Sequence, residues 1–395
     1  MGKTEPLPRL FFRELTGSCQ IAQGSRVIIA VSGGPDSMAL LHLLADARKR
    51  LELELTAVWV DHCLRPKETP REEQTVRAAA EKLEVNCVRH RVDATFYSSE
   101  QGISLEHAAR DLRYAALRAT AREVGAEYIA VAHTADDQAE EILLRLLRGS
   151  GREGVSGMRM RSRDLIRPLL NIDKKDLLTW LTEQEIASCF DSSNNDMRFL
   201  RNRVRHQLLP FLEEHFEQGI KKSLRKTADS LAVDEELLVA LTAEAEQETI
   251  SELSSPKIKL LRTPFCALHP ALQRRVVERL LWKIGGRAGY DHILLVIKAA
   301  ESGRTNSELH LGRGLRVGVF RDCLEFSYPV GQKAWRGRLF TPLITATVSE
   351  KQTTPPSAAP RPQRSAKKTA SSSKETWRIT KQNEHANTPG FSRLL

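Results

Sequence analysis

The six residues Ser32-Gly33-Gly34-Pro35-Asp36-Ser37 are the first with chemical potential. They follow Arg26–Val31, a short β-branched run that reads as a buried strand, and lead into a helical pattern. Two adjacent glycines let a backbone turn tightly and approach an anion closely. The serine hydroxyls and the free N–H groups of a helix start then favour phosphate, aided by the helix dipole. Asp36 is placed to hold a magnesium ion that bridges phosphates. An ordinary strand-to-helix turn has the same composition. The segment lacks the G-K-[ST] of a Walker loop and the spacing G-x-G-x-x-G, which argues against kinases and motor ATPases.

Further clusters follow. Asp61-His62-Cys63-Leu64-Arg65 closes an apolar run and reads equally as a salt-bridged loop or a ligand edge. Glu106, Arg110 and Arg113 share one helix face, which is either solvated or a clamp for phosphate or an amino acid. His133-Thr134-Ala135-Asp136-Asp137-Gln138-Ala139-Glu140 offers two carboxylates at a helix start. Capping explains them simply, and metal-assisted nucleotidyl transfer needs the same set. Arg167-Pro168-Leu169-Leu170 comes next, then Asp191-Ser192-Ser193-Asn194-Asn195 and Arg201-Asn202-Arg203-Val204-Arg205. Arginines 198, 201, 203 and 205 suggest a surface that contacts nucleic-acid phosphates; the alternative is pairing with Asp191 or Asp196.

These clusters need a scaffold that brings them together. Strands are expected at 26–31, 55–60, 87–92 and 128–132, alternating with helices at 37–49, 71–83, 104–124 and 136–147. That alternation predicts βαβ units: an α/β fold with a parallel, doubly wound sheet covered on both faces. Ligands in such sheets bind at the carboxyl ends of the strands, where the clusters begin. An amphipathic helix is expected within residues 1–20, and 165–170 with a helix at 174–184 extends the domain. The expected domains are a catalytic one over 1–215, a mostly helical one with short strands over 216–330, and a basic low-complexity tail or truncated domain over 331–395. Helices are expected from 219 to about 249, at 269–284 and at 290–300, with two or three strands in 307–326.

Composition narrows the class. The chain is 41% hydrophobic and 28% charged, ordinary for a globular protein, with no apolar run near the roughly 18–20 residues of a membrane span. The first residues, MGKTEPLPRLFFREL, hold no long apolar stretch, so no signal peptide and a cytoplasmic location are expected. Cysteines at 19, 63, 87, 189, 266 and 323 form no C-x-x-C pair, which argues against sulfur transfer and zinc. The net charge of +10 is concentrated: residues 331–395 hold 12 Lys/Arg against 3 Asp/Glu, while the other 330 residues hold 48 against 47. Such a tail is a solvated segment or an electrostatic arm for a polyanion.

Ser32–Ser37 resembles the signature of the PP-loop, or N-type ATP pyrophosphatase, family. With D-H-x-L-R, A-H-x-x-D-D-Q-x-E, R-G-S-G and D-x-S-N…R-N-x-x-R in this order, residues 26–210 resemble the tRNA(Ile)-lysidine synthetases within it. The resemblance implies a ligase that adenylates C2 of the wobble cytidine of the CAU-anticodon isoleucine tRNA and joins L-lysine through its ε-amine. It implies ATP and Mg2+ as cofactors, no membrane, and a homodimer as an open expectation. Ser32, Gly33, Gly34, Pro35, Asp36 and Ser37 would cradle phosphates, and backbone near Val60 and Asp61 would meet adenine. Asp36 and Asp137 would hold magnesium. The implied catalytic set is Asp36, Arg110, Arg113, His133, Asp137 and Glu140, with the arginines at the α-phosphate and a carboxylate serving lysine. Departures are Glu141 where the family usually has Thr, Lys67-Glu68-Thr69 where a Ser is common, and the short C-terminal region. Rival readings are another PP-loop tRNA-modifying enzyme and a non-catalytic tRNA-binding protein.

Overall fold

The computed structural model describes residues 5–64, 68–189, 197, 199–254, 257–285, 289–312 and 314–328, and the backbone of 333–334 and 338–339. The chain divides into two compact units, at Leu237 and Leu238.

The first unit opens with α1 (Leu7–Thr16), β1 (Arg26–Ala30), α2 (Pro35–Leu51), β2 (Glu54–Asp61), α3 (Thr69–Lys82) and β3 (Asn86–Arg91). Then come α4 (Ala94–Gln101), α5 (Leu105–Val124), β4 (Tyr128–Ala130), α6 (Ala135–Leu147), α7 (Arg152–Val155), β5 (Arg161–Ser162), β6 (Leu165–Ile166) and α8 (Lys174–Glu183). The sheet order is β3-β2-β1-β4-β6-β5. All its pairings are parallel except β5 with β6. Side chains of β1 alternate across it: Val27 and Ile29 join the core with α1, α2 and α8, while Ile28 packs with Leu117 and Ala121 of α5. Met38, Leu40, Leu41 and Leu44 of α2 are all buried, each contributing about 2 kcal/mol. The chain leaves β1 to one side toward β2 and reaches β4 on the other. That reversal makes β1 and β4 a switch point, and open α/β sheets form a crevice beyond the carboxyl ends of the strands at such a point.

The expected parallel α/β sheet is therefore present. Differences from the sequence reading are local. Helix α4, capped by Asp93 accepting from the Phe96 N–H, was not expected. The 165–170 segment supplies only the two residues of β6, held in a hairpin with β5. After α9 (Leu200–Arg203), one π-helical turn over Val204–Leu208 precedes α10 (Leu209–His215). The 30-residue α11 (Ile220–Thr249) matches the expected long helix. Its start packs on the first unit, where Ile220 and Leu224 meet Leu144, Val204 and Leu209. The unit division accordingly falls inside α11 rather than before it.

The second unit holds β7 (Ile250–Ser254), β8 (Lys257–Leu261), α12 (Arg262–Ala267), α13 (Pro270–Lys283), α14 (Tyr290–Ser302), β9 (Ser307–Leu311), β10 (Leu315–Val319) and β11 (Cys323–Ser327). Strands order as β7-β8-β11-β10-β9, antiparallel throughout. The three strands expected in 307–326 are present, and β7 and β8 extend their sheet. Phe265, Val276, Leu280, Val296, Val317 and Phe326 form the core between helices and sheet. Beyond 328 only the short antiparallel pair β12 (Lys333–Ala334) and β13 (Arg338–Leu339) is described, so the expected tail lies outside the described residues. No helix among the described residues is long and apolar enough to cross a membrane.

Candidate active site

The loop after β1 is the clearest local structure. Gly33 has φ +88°, a left-handed conformation that favours glycine, while a Cβ there would make only ordinary contact with Glu72. Pro35 occupies the first helical turn of α2, where its missing N–H costs nothing. Buried Ser37 holds the loop together: its Oγ donates to the Gly34 carbonyl at 2.9 Å and accepts from the Ser32 N–H at 3.1 Å. Ser32 is exposed, with its Oγ 3.2 Å from that of Ser37. The start of α2, whose first-turn N–H groups have no intrahelical acceptor, and the exposed Ser32 hydroxyl together suit an anion seat.

Asp36 sits in that seat. Its Oδ2 accepts from Lys174 Nζ at 2.9 Å, and its Oδ1 is buried with no partner. Burial pushes its pKa up, Lys174 opposes the rise, and Asp137 and Arg205 lie close enough for their charges to be felt. A divalent cation would satisfy the orphaned oxygen and the desolvated charge together, so Asp36 fits the magnesium role. Among the described residues no group of three or more His, Cys, Asp and Glu side chains is arranged to hold a metal. An ion here would take its other ligands from phosphate and water, as magnesium commonly does.

Across the crevice, β4 leads to His133 and the start of α6. Thr134 and Asp137 form a reciprocal capping box: Asp137 Oδ2 accepts from the Thr134 N–H and hydroxyl, both at 2.9 Å. Asp137 Oδ1 accepts from Arg201 at 3.3 Å and Arg205 at 3.0 Å. Glu140, one turn on and 1% exposed, accepts from Arg201 Nε at 3.1 Å, and from Arg205 Nε at 2.6 Å and Nη2 at 2.9 Å. Two carboxylates and two guanidinium groups thus form a closed cage. Burial alone would raise the pKa of Asp137, but Arg201, the Thr134 N–H and Arg205 hold it at about 2. Both Asp137 oxygens are engaged, so binding a metal would cost it a present partner. The capping reading of this motif is thus met by the Thr134–Asp137 pair.

The sequence offered nucleic-acid phosphates, or Asp191 or Asp196, as partners for the arginines of 201–205. Arg201 and Arg205 pair with Asp137 and Glu140, while Arg203, on the opposite side of the turn, is exposed. Arg65, Asp191–Asn195, Asp196 and Arg198 lie outside the described residues.

His133 Nδ1 is buried without a partner. Burial and the charges of Arg167, Arg201 and Arg110 push its pKa well below the usual value, against the pull of Asp137, so the ring is neutral. Arg110 and Arg113 flank the Tyr114 ring, with guanidinium carbons 5.2 and 6.0 Å from its centroid. Asp61 is buried, accepts from the Cys63 N–H at 2.8 Å and lies 3.8 Å from Arg91, so its side chain makes the salt-bridged loop. The backbone of Val60 and Asp61 lies at the carboxyl end of β2, next to β1 in the sheet.

Three basic residues that support the site, Lys174, Lys221 and Arg145, were missed in the sequence. Lys174 pairs with Asp36, and Lys221 of α11 reaches Asp136 at 3.0 Å. Arg145, paired with buried Glu141, donates to the carbonyls of Gly154 and Gly157 at 2.7 and 3.2 Å and fixes the 148–157 loop. Gln138 clamps the same loop through Met158, whose N–H and carbonyl it meets at 2.8 and 2.9 Å. A signal for Lys174 existed: a lysine at the first residue of a helix opposes the dipole and needs an anion nearby.

A family model described as the PP-loop domain matches residues 10–212. Among curated proteins, the chain is similar to a tRNA(Ile)-lysidine synthase of Clostridium acetobutylicum, 28% identical over 75% of this chain and 65% of that one. It is 32% identical to that of Bacillus subtilis (strain 168), over 76% of this chain and 66% of the relative. It is 30% identical to that of Geobacillus kaustophilus (strain HTA426), over 82% and 72%. The chain thus spans slightly less than two thirds of the first two relatives' lengths. A PP-loop match over half the chain, and a 30% identical relative covered over more than two thirds of its length, agree with the loop, the switch-point crevice and the carboxylate–arginine cage. The chain belongs to the PP-loop family and, within it, to the family of tRNA(Ile)-lysidine synthases.

Proposed function

We propose that the chain is an ATP-dependent ligase that adenylates the wobble cytidine of the CAU-anticodon isoleucine tRNA and then attaches lysine to C2. The observation that carries this is the crevice. An anion seat with an unsatisfied carboxylate faces, across one sheet switch point, a cage of two carboxylates and two arginines.

In the first step the cytosine O2 attacks the α-phosphorus of ATP, and the bond to the bridging oxygen of pyrophosphate breaks. Ser32–Ser37 hold the β- and γ-phosphates against the start of α2. Magnesium, when bound at Asp36, neutralises phosphate charge. Arg110 and Arg113 would stabilise charge building on the α-phosphate. Neutral His133 serves as a hydrogen-bonding group and not as a cation. The backbone of Val60 and Asp61 reads adenine.

In the second step the ε-amine of lysine attacks C2, loses its proton and expels AMP, which carries the former O2. A carboxylate that titrates near 2 is a poor base at neutral pH, so Asp137 suits holding an ammonium or orienting the arginines. Glu140, one helical turn away and buried with both oxygens on Arg201 and Arg205, suits orienting those arginines. Lysine and tRNA are the proposed substrates, the cytoplasm the proposed location and a homodimer the proposed assembly, checked by sedimentation.

Incubation of the chain with ATP, labelled lysine and a panel of tRNAs tests the reading. Label is expected in the CAU-anticodon isoleucine tRNA alone. Modification without lysine would point to a different PP-loop enzyme, and tRNA binding without ATP turnover to a binding protein.

A further inference from the structure

We propose that Lys174 is a phosphate-binding residue: it neutralises Asp36 while the site holds no nucleotide, and passes to the pyrophosphate half of ATP when Asp36 takes magnesium. The proposal rests on the reading of the chain as an ATP-cleaving enzyme.

Four observations converge on it. Lys174 is the first residue of α8, and its N–H donates to Asp136 Oδ2 at 2.8 Å, so its backbone is pinned to the start of α6. A cation at the positive end of a helix is disfavoured unless an anion faces it. That anion is Asp36, at 2.9 Å, and the pair is fully local to the phosphate loop. Asp36 is only half served, because its second oxygen is buried and unpartnered, so the carboxylate is shaped for a second cation. The pair is also the most easily exchanged in the crevice. Arg201 and Arg205 each bond both Asp137 and Glu140, and Lys221 meets both Asp136 and Glu213. Lys174 holds a single carboxylate oxygen through a flexible, one-third exposed stem.

Once magnesium occupies Asp36, the lysine charge needs a new anion within reach of its stem. The β- and γ-phosphate oxygens seated on the loop supply one. As the bond from the α-phosphorus to the bridging oxygen breaks, its electron pair stays on the pyrophosphate. Lys174 remains protonated and donates hydrogen bonds to that growing charge, and no proton leaves it.

The test is calorimetric titration of the full chain with α,β-methylene-ATP, inorganic pyrophosphate and AMP, with and without magnesium. Lys174→Gln is expected to weaken binding of the analogue and of pyrophosphate about tenfold or more while AMP binding holds. Lys174→Arg should restore most of that loss. Asp36→Asn supplies an independent arm: it frees Lys174, so pyrophosphate should bind more tightly without magnesium than it does to the unaltered chain. Unchanged analogue binding by Lys174→Gln, an equal loss of AMP binding, or no gain in Asp36→Asn would make Lys174 a structural partner of Asp36 and overturn the proposal. Failure of the unaltered chain to bind the analogue at all would instead overturn the ATP reading, and this proposal with it.

Discussion

Asp36 and His133 show how burial sets chemistry at single residues. Asp36 carries an unpaired oxygen at a helix start, where it is proposed to meet phosphate and metal. Asp36→Ala should abolish pyrophosphate release and leave the melting profile intact, and near-normal adenylation by the folded variant would remove Asp36 from the site. His133 titrates well below an exposed histidine. Below about pH 6.5 the unfolded chain takes up a proton there that the folded chain refuses, so stability falls as the pH drops from about 7 to about 5. His133→Asn should flatten that slope in thermal melts. A residual slope is expected, because burial depresses His42 in the same direction. An unchanged slope would mean that His133 is not desolvated. The phosphate loop was legible in the sequence because its six residues are contiguous. The Lys174–Asp36 pair was not, because its members are 138 residues apart and only the fold joins them.

Helices α6 and α9, with the π turn after α9, make a single electrostatic device. Glu140 is almost wholly buried, so removing its arginines leaves a desolvated charge. Replacing Arg201 and Arg205 together with alanine should cost about 3 kcal/mol or more in denaturant unfolding. The salt dependence of tRNA binding should stay as it was. A stable double variant whose salt slope flattens by roughly 0.7–0.9 per lost contact would return these arginines to the nucleic acid. The sequence pointed to this segment for its charge and missed its partners. Arg201 and Arg205 stand 61 to 68 residues from Asp137 and Glu140, and a run of arginines looks the same whether it faces solvent or a carboxylate. Long elements were easier to read. Helix α11 carries its period over 30 residues, whereas β8 follows the long helix without a glycine or a clear alternation to mark it.

Across the whole molecule, charge and chemistry are separated. The first 330 residues are nearly neutral, while 331–395 carry a net excess of basic groups. Deleting residues 352–395 should weaken non-specific RNA binding and reduce its salt slope, with little effect on discrimination between tRNAs, because a cationic segment reads charge rather than sequence. Loss of all modification activity on that deletion would place tRNA recognition in the tail. The parallel sheet was legible because β1, β2 and β4 are short apolar runs, alternating with helical patterns at βαβ spacing. What the sequence left open was which tips share a crevice, and the β1–β4 switch point decides that. The central claim is that the crevice joins lysine to a cytidine activated by ATP. Mass analysis of nucleosides from CAU-anticodon isoleucine tRNA, after incubation with the chain, ATP and lysine, tests it most directly. The account predicts one cytidine replaced by a nucleoside heavier by lysine less one water, absent when ATP or lysine is withheld. Unmodified cytidine, in a reaction where the chain is folded and binds both ATP and the tRNA, would contradict it.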